Sequence, residues 1–302
     1  MFSTRFSAFV GALILAPCVA TAAPMIFSAA GSDAASIQAE VDAFRDALGA
    51  LNPNEPENFK GGRRQIDWDG APDVVSDPNP FPGDFFNRNF APLARGIEFR
   101  PSENPKAGAP EQIAKGFQLS STEASGEPVR FGFEKELDVF SPERLFAPTG
   151  GTIFDVVFFD PADQKTPAAT RGLGIVFTNV SEVEDEKTKE KTTDAKVNFF
   201  LKGQDIGTDH PAFSVNAEAS GPGGLSFIGV LFDEPTIVGA TVQAGYIPFD
   251  TAKSGAGVVA MDDFIFGEPT VAAVPVPASA LLLGSALFGG AAFARRRRRQ
   301  AA

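Results

Sequence analysis

The chain has 302 residues, a net charge of −12 and 30 phenylalanines, beside a single Trp, a single Tyr, a single His and a single Cys. Such acidity excludes nucleic acid as a partner, and one histidine excludes a zinc site built from several within one chain. The only thiol, Cys18, lies in the N-terminal segment, so a mature protein starting beyond it has no disulfide, no cysteine metal site and no thiol catalysis.

Residues 1–22 read as a secretory signal peptide. Arg5 supplies the basic start, 8–19 is apolar, and Ala20-Thr21-Ala22 is an A-x-A site for signal peptidase after export through a Sec translocon. Cleavage is expected after Ala22. A lipoprotein alternative rests on Leu15-Ala16-Pro17-Cys18, but Pro17 stands where a lipobox needs a small residue. Six arginines, Arg5 and Arg295 to Arg299, lie in the terminal segments with no acid beside them, so the body between carries −18. That surface suits solubility and divalent cations outside the cell.

Segment 23–53 carries an amphipathic helix, because Ile37, Val41, Phe44, Leu48 and Leu51 recur at spacings of three and four. Asp33 or Ser36 caps its start, Asn52-Pro53 stops it, and packing on the domain is its expected role. The ectodomain proper spans 54–269. Up to about residue 110 it is dense in Pro, Gly, Asn and Asp, with a short run at 64–69 and a strand at 95–100, which suits loops joining strands. Beyond Lys115 the pattern is β: strands are predicted at 117–121, 129–133, 153–159, 173–180, 196–202, 225–232, 237–244 and 258–266. Eight or more such strands after one helix predict a mainly β fold, a jelly-roll-like β-sandwich, with no repeat at a fixed period. The mixed-charge stretch 181–194 reads as a solvated hairpin loop between two strands.

Segment 270–302 closes the chain. Val274, Pro275, Val276, Pro277 and Ala278 form a proline turn; 17 uncharged residues, 278–294, follow; Arg295, Arg296, Arg297, Arg298 and Arg299 end it. The uncharged run is close to the lower length of a transmembrane helix, and the arginines would be held on the cytoplasmic side. This three-part order resembles the PEP-CTERM sorting signal in its VPLPA form, with Val276 where that form has Leu. The resemblance implies an exosortase-like membrane enzyme that cleaves near the proline motif, and a Gram-negative host whose cell surface or exopolysaccharide matrix receives the product. The plainer alternative is a permanent C-terminal anchor. Within the body, Arg63 to Gly70, Asp84 to Asn87, Arg95 to Phe99, Arg144 to Pro148 and Val259 to Pro269 resemble a group of uncharacterised secreted bacterial proteins, a likeness that implies fold and location but no activity.

Chemistry has few carriers. His210 lies in a Gly-Thr-Asp-His-Pro turn, and no Gly-X-Ser-X-Gly stretch offers a nucleophile elbow. A glycosidase would draw on Asp67, Asp69, Glu98, Asp155 and Asp263, yet no motif selects a pair. Structural Ca²⁺ is the better expectation. Asp67 and Asp69 near the first strand of the ectodomain, with Asp262 and Asp263 near its last, bring hard oxygen ligands to the two ends of the domain. Asp263 resembles the ligand that many calcium-stabilised carbohydrate-binding jelly rolls carry on a terminal strand. The competing expectation is that these acids cap turns and pair with Arg63, Arg64 or Arg95. The sequence thus predicts a non-enzymatic exported protein of the cell envelope or matrix. A carbohydrate-binding module is the alternative, with Trp68, Tyr246 and nearby arginines as contacts to extracellular polysaccharide.

Overall fold

The computed structural model describes residues 23–103, 112–184, 189, 191–255 and 257–271. The expected signal cleavage at Ala20 and Ala22 and the tail residues 274–278 and 295–299 lie outside them. Among the described residues no helix is long and apolar enough to cross a membrane.

Strand β1 (Met25–Gly31) comes first, then helix α1 (Ala34–Leu48). Asp33 caps the helix, its Oδ1 accepting from the Ser36 N–H at 2.9 Å. Gly49 ends it with φ +100, a conformation that other residues rarely adopt, and its N–H closes on the Arg45 and Asp46 carbonyls. Ile37, Val41, Phe44 and Leu48 are buried, the face the spacing predicts. Leu51 is 56% exposed, because the helix stops at Gly49 before Asn52-Pro53 is reached.

The remaining strands are β2 (Arg63–Ile66), β3 (Ile97–Pro101), β4 (Gly116–Leu119), β5 (Phe146–Thr149), β6 (Ile153–Phe158), β7 (Ala168–Ala169), β8 (Gly172–Thr178), β9 (Glu182–Glu184), β10 (Lys191–Thr193), β11 (Ala195–Leu201), β12 (Phe213–Asn216), β13 (Leu225–Leu231), β14 (Ile237–Ala244), β15 (Ala260–Gly267) and β16 (Thr270–Val271). The fold is mainly β. A seven-stranded antiparallel sheet runs β1-β13-β8-β15-β5-β4, with β2 also pairing β15. A five-stranded one runs β12-β11-β14-β6-β3, and β9-β10 and β7-β16 form two small ladders.

The two large sheets face each other across one core. Ile175, Phe177, Met261, Phe264 and Phe266 come from the first sheet; Phe99, Phe154, Val156, Phe158, Val197 and Val242 come from the second. Rings meet across the gap, Phe99 on Phe264 at 5.1 Å and Phe158 on Phe266 at 5.6 Å between centroids, which explains why so much of the aromatic content is Phe. Phenylalanine fills the core and brings no polar group that would need a partner there.

Helix α1 covers the other side of the seven-stranded sheet, where Phe44 packs with Phe27 and Phe227. Gly174 and Gly229 oppose each other in β8 and β13 and leave a dimple beneath that ring. A Cβ on Gly174 would lie 2.6 Å from Phe44 Cε1, and one on Gly229 would lie 2.8 Å from Phe44 Cδ2. The glycines are where they are because a ring approaches the strand backbone.

Two expectations from pattern are corrected. The strand predicted at 129–133 is a 3-10 turn at Arg130–Gly132 with Phe131 at φ 58; Phe131 and Phe133 serve a small satellite core with Leu137 and Leu145. Strands β1, β5, β7, β12 and β16 carry no pattern long enough to predict them, and within the stretch 181–194, expected as a solvated hairpin loop, β9 and β10 pair as a short antiparallel ladder.

Candidate functional site

The sequence-selected aspartates meet where β2 lies against β15. Met261 pairs with Phe177 and Phe264 with Ile175, so Asp262 and Asp263 together oppose Val176. This β-bulge turns two successive carboxylates to the helix-covered face while Met261 and Phe264 keep their places in the core. Both aspartates are fully buried.

Their oxygens are engaged by donors. Asp262 Oδ2 accepts from the Phe140 N–H at 2.6 Å and the Ser141 N–H at 3.1 Å, and its Oδ1 accepts from Ser141 Oγ at 2.8 Å. Asp263 Oδ2 accepts from Arg45 Nη2 at 2.7 Å and Gln65 Nε2 at 2.8 Å, and Ser141 Oγ stands 2.9 Å from its Oδ1. Burial pushes the Asp263 carboxyl up to about 6; burial, then the Asp263 charge beside it, holds Asp262 well above the ordinary range. The network ties α1, β2 and the 140–141 turn to one strand.

Trp68 follows β2 with φ 69. Its ring stacks on Phe146 at 4.4 Å and takes the edges of Phe81, Phe86 and Phe264, and its Nε1–H donates to the Asp262 carbonyl. At 1% exposure it cannot be a sugar contact, so the expectation for Trp68 is overturned: the indole completes the core and its one polar atom is satisfied inside. Tyr246 is 43% exposed, in the turn next to the Gly245–Val258 bridge, and shares no surface with Trp68.

Asp69 accepts from the Glu143 N–H, and from the Arg144 N–H at 3.0 Å; burial raises its pKa. Asp67 lies close enough to feel the Asp263 and Arg95 charges. The expected meeting of the two acidic stretches is therefore present, through the pairing of Ile66 with Phe264. Turn capping describes Asp69 and Asp262, while the arginine that pairs is Arg45. Arg63 donates to the Gly49 carbonyl, and Arg95 donates to Gln65 O at 2.6 Å over the Phe86 ring, its pKa lowered to about 10 by burial. Arg64 forms a fully buried pair with Glu268 at 2.7 Å. Among the described residues no group of three or more His, Cys, Asp or Glu side chains is arranged to hold a metal ion.

The other acids also have partners: Glu98 accepts from Asn87 and Arg100, and Asp155 accepts from Thr241 Oγ1 at 2.5 Å. His210 is a solvated turn residue, its side chain 88% exposed and 3.4 Å from Asp209. Glu268 and Ser141 escape the sequence reading. The bulge had a signal, two adjacent acids interrupting an apolar strand, whereas a lone Glu beyond β15 had none.

A polar row lies on the five-stranded sheet, open at its ends and buried at Thr241 and Asp155 in its middle. Across the outer face of the five-stranded sheet, Ser214, Asn198, Thr241, Asp155 and Arg100 stand opposite one another in register, strand to strand. Beside this row a cleft of about 270 Å³ is lined by Lys196, Asn198, Thr208, Asp209, Ser214 and Thr241. No known family model, curated protein or solved structure matches this chain.

Proposed function

We propose that this is an exported, non-enzymatic protein of the cell surface or exopolysaccharide matrix, processed at its C-terminal signal by an exosortase-like enzyme. The observation that carries the reading is where the sandwich begins and ends. β1 starts at Met25, three residues after Ala22, and β16 ends at Val271, three before Val274. Removal of both terminal segments cuts none of the strands among the described residues. The jelly-roll reading rests on strand order. β5, β15, β8 and β13 are successive neighbours in one sheet, β6, β14, β11 and β12 in the other, and all connections among these eight but β11–β12 cross between sheets, as two Greek keys require. Engagement of Asp69, Asp262 and Asp263 as internal acceptors supports a structural role for the acids. Calcium at this point would have to displace Arg45 and the backbone donors.

Intact mass of the protein from native cells, separated into membrane and extracellular fractions, tests the sorting. The expected species begins near Ala23 and ends between Pro275 and Ala278. A species found only in membranes and still carrying Arg295 to Arg299 would make the tail a permanent anchor and sink the proposal.

The polar cleft on the five-stranded sheet favours one second reading, a carbohydrate-binding module. With Trp68 buried, its contacts would be the hydroxyl, amide and ammonium groups of Thr208, Asn198 and Lys196. Retention on the host exopolysaccharide that survives Lys196→Ala with Asn198→Ala would reject that surface.

A further inference from the structure

We infer that the stretch Ala272 to Pro277, which leads from the sandwich to the apolar tail, docks in an apolar groove on its own domain beside β7. The groove has a volume of about 370 Å³, and its walls include Phe158, Phe159, Pro167, Ala168, Ile206 and Val238, with Arg100 and Asp205 at its polar margin. Its position relative to the tail follows from register. β16 pairs with β7 antiparallel, Thr270 opposite Ala169 and Val271 opposite Ala168. The ladder thus ends opposite Ala168, and both Ala168 and the Pro167 before it are walls of the groove.

Pro167 has no N–H with which to extend the β7–β16 ladder, so the stretch after Val271 begins beside the groove with no ladder to continue. The six residues that follow, Ala-Ala-Val-Pro-Val-Pro, are uncharged and without polar side chains. Extended, they reach about 20 Å. Two prolines remove two backbone donors and favour an extended backbone for the residue before each, which is the form that aromatic-lined grooves accept. Chemistry and reach single out this occupant. Docking would hold Val274 to Pro277 against the protein surface, out of reach of a membrane enzyme until released; that consequence rests on the sorting reading, while the docking does not.

The full-length chain tests it. With Cys18→Ser removing the only native thiol, Asp205→Cys is combined with Val274→Cys, and a short bismaleimide is applied to native membranes and culture supernatant. Residue 274 precedes the expected cleavage, so the link is readable by peptide mass whether or not the tail has been processed, and failure of the sorting reading is scored separately. The expected result is an intramolecular 205–274 link in most chains, with Ala35→Cys and Val274→Cys, on the distant N-terminal turn of α1, linking at least tenfold less. Val276→Glu, which alters the occupant and leaves the sandwich untouched, should cut the 205–274 yield at least fivefold. Equal yields for the two pairs, or an unchanged yield with Val276→Glu, would overturn the docking. A 205–274 link found between chains would give the groove to a second copy and overturn it as well.

Discussion

The two outer faces of the sandwich are built from strands of the same kind and meet opposite fates. On the seven-stranded sheet the outward residues of β8, β13 and β15 are Gly174, Val176, Phe227, Gly229 and Ile265, and α1 seals them. On the five-stranded sheet the outward row from Ser214 to Arg100 is polar, and a cleft stays open beside it. Both faces carry acids, yet Asp262 and Asp263 are fully buried under the helix and Asp155 lies beneath its polar neighbours. A charged residue on a strand does not by itself mark solvent. Burial is tolerated where donors meet most of the oxygens, which is what Arg45, Gln65, Ser141 and the 140–141 backbone do for the bulge; the single Ser141 hydroxyl proton serves only one of the two Oδ1 atoms.

The comparison breaks most visibly at Phe44. Phe44→Ala empties the dimple over Gly174 and Gly229 and should cost about 3–5 kcal/mol in denaturant titration. A loss below about 1 kcal/mol would mean that the helix does not seal this face.

Next in size is the pH response of the buried pair, which Arg45, Asp67 and Asp262 face. Asp263 has a folded pKa near 6 against an ordinary 3.8, and a raised carboxyl takes up its proton more readily folded than unfolded. Its cost is present in full above about pH 6 and is relieved as pH falls from there toward 3.8. Up to about 3 kcal/mol is involved at 1.36 kcal/mol per pKa unit. Stability should therefore rise on acidification from pH 7 to 4, with Asp69, Asp155 and Asp194, also raised by burial, adding to the slope. Asp263→Asn should flatten that slope by about one proton in melts across the same range. An unchanged slope removes Asp263 as its source.

Gly174→Ala is a smaller intrusion, a methyl set against the Phe44 ring, and should cost about 1–3 kcal/mol. On the open face Asn198→Ala should move stability by no more than about 0.5 kcal/mol. A larger loss there would show that the polar row supports the fold, leaving it less free to serve a ligand.

Much of this molecule is legible in one dimension. The helix face Ile37, Val41, Phe44 and Leu48 follows from periodicity, and the strand at 237–244 is found at its predicted bounds. The other predicted strands, except that at 129–133, fall within two residues of their observed bounds, because alternation and β-branched runs are local properties of the chain. Lone Trp68 was legible as a residue of interest but not as a buried one. Its surroundings, Phe81, Phe86, Phe146 and Phe264, are assembled from distant segments, and exposure is set by what those segments bring.

The sequence by itself determined the β class, the amphipathic helix and the meeting of two acidic stretches, since each rests on pattern or on where the end strands lie. Only the tertiary structure decided what the acids do. A carboxylate's role depends on which donors reach it, and Arg45, Gln65 and Ser141 arrive from 218, 198 and 122 residues away. No spacing along the chain encodes that distance.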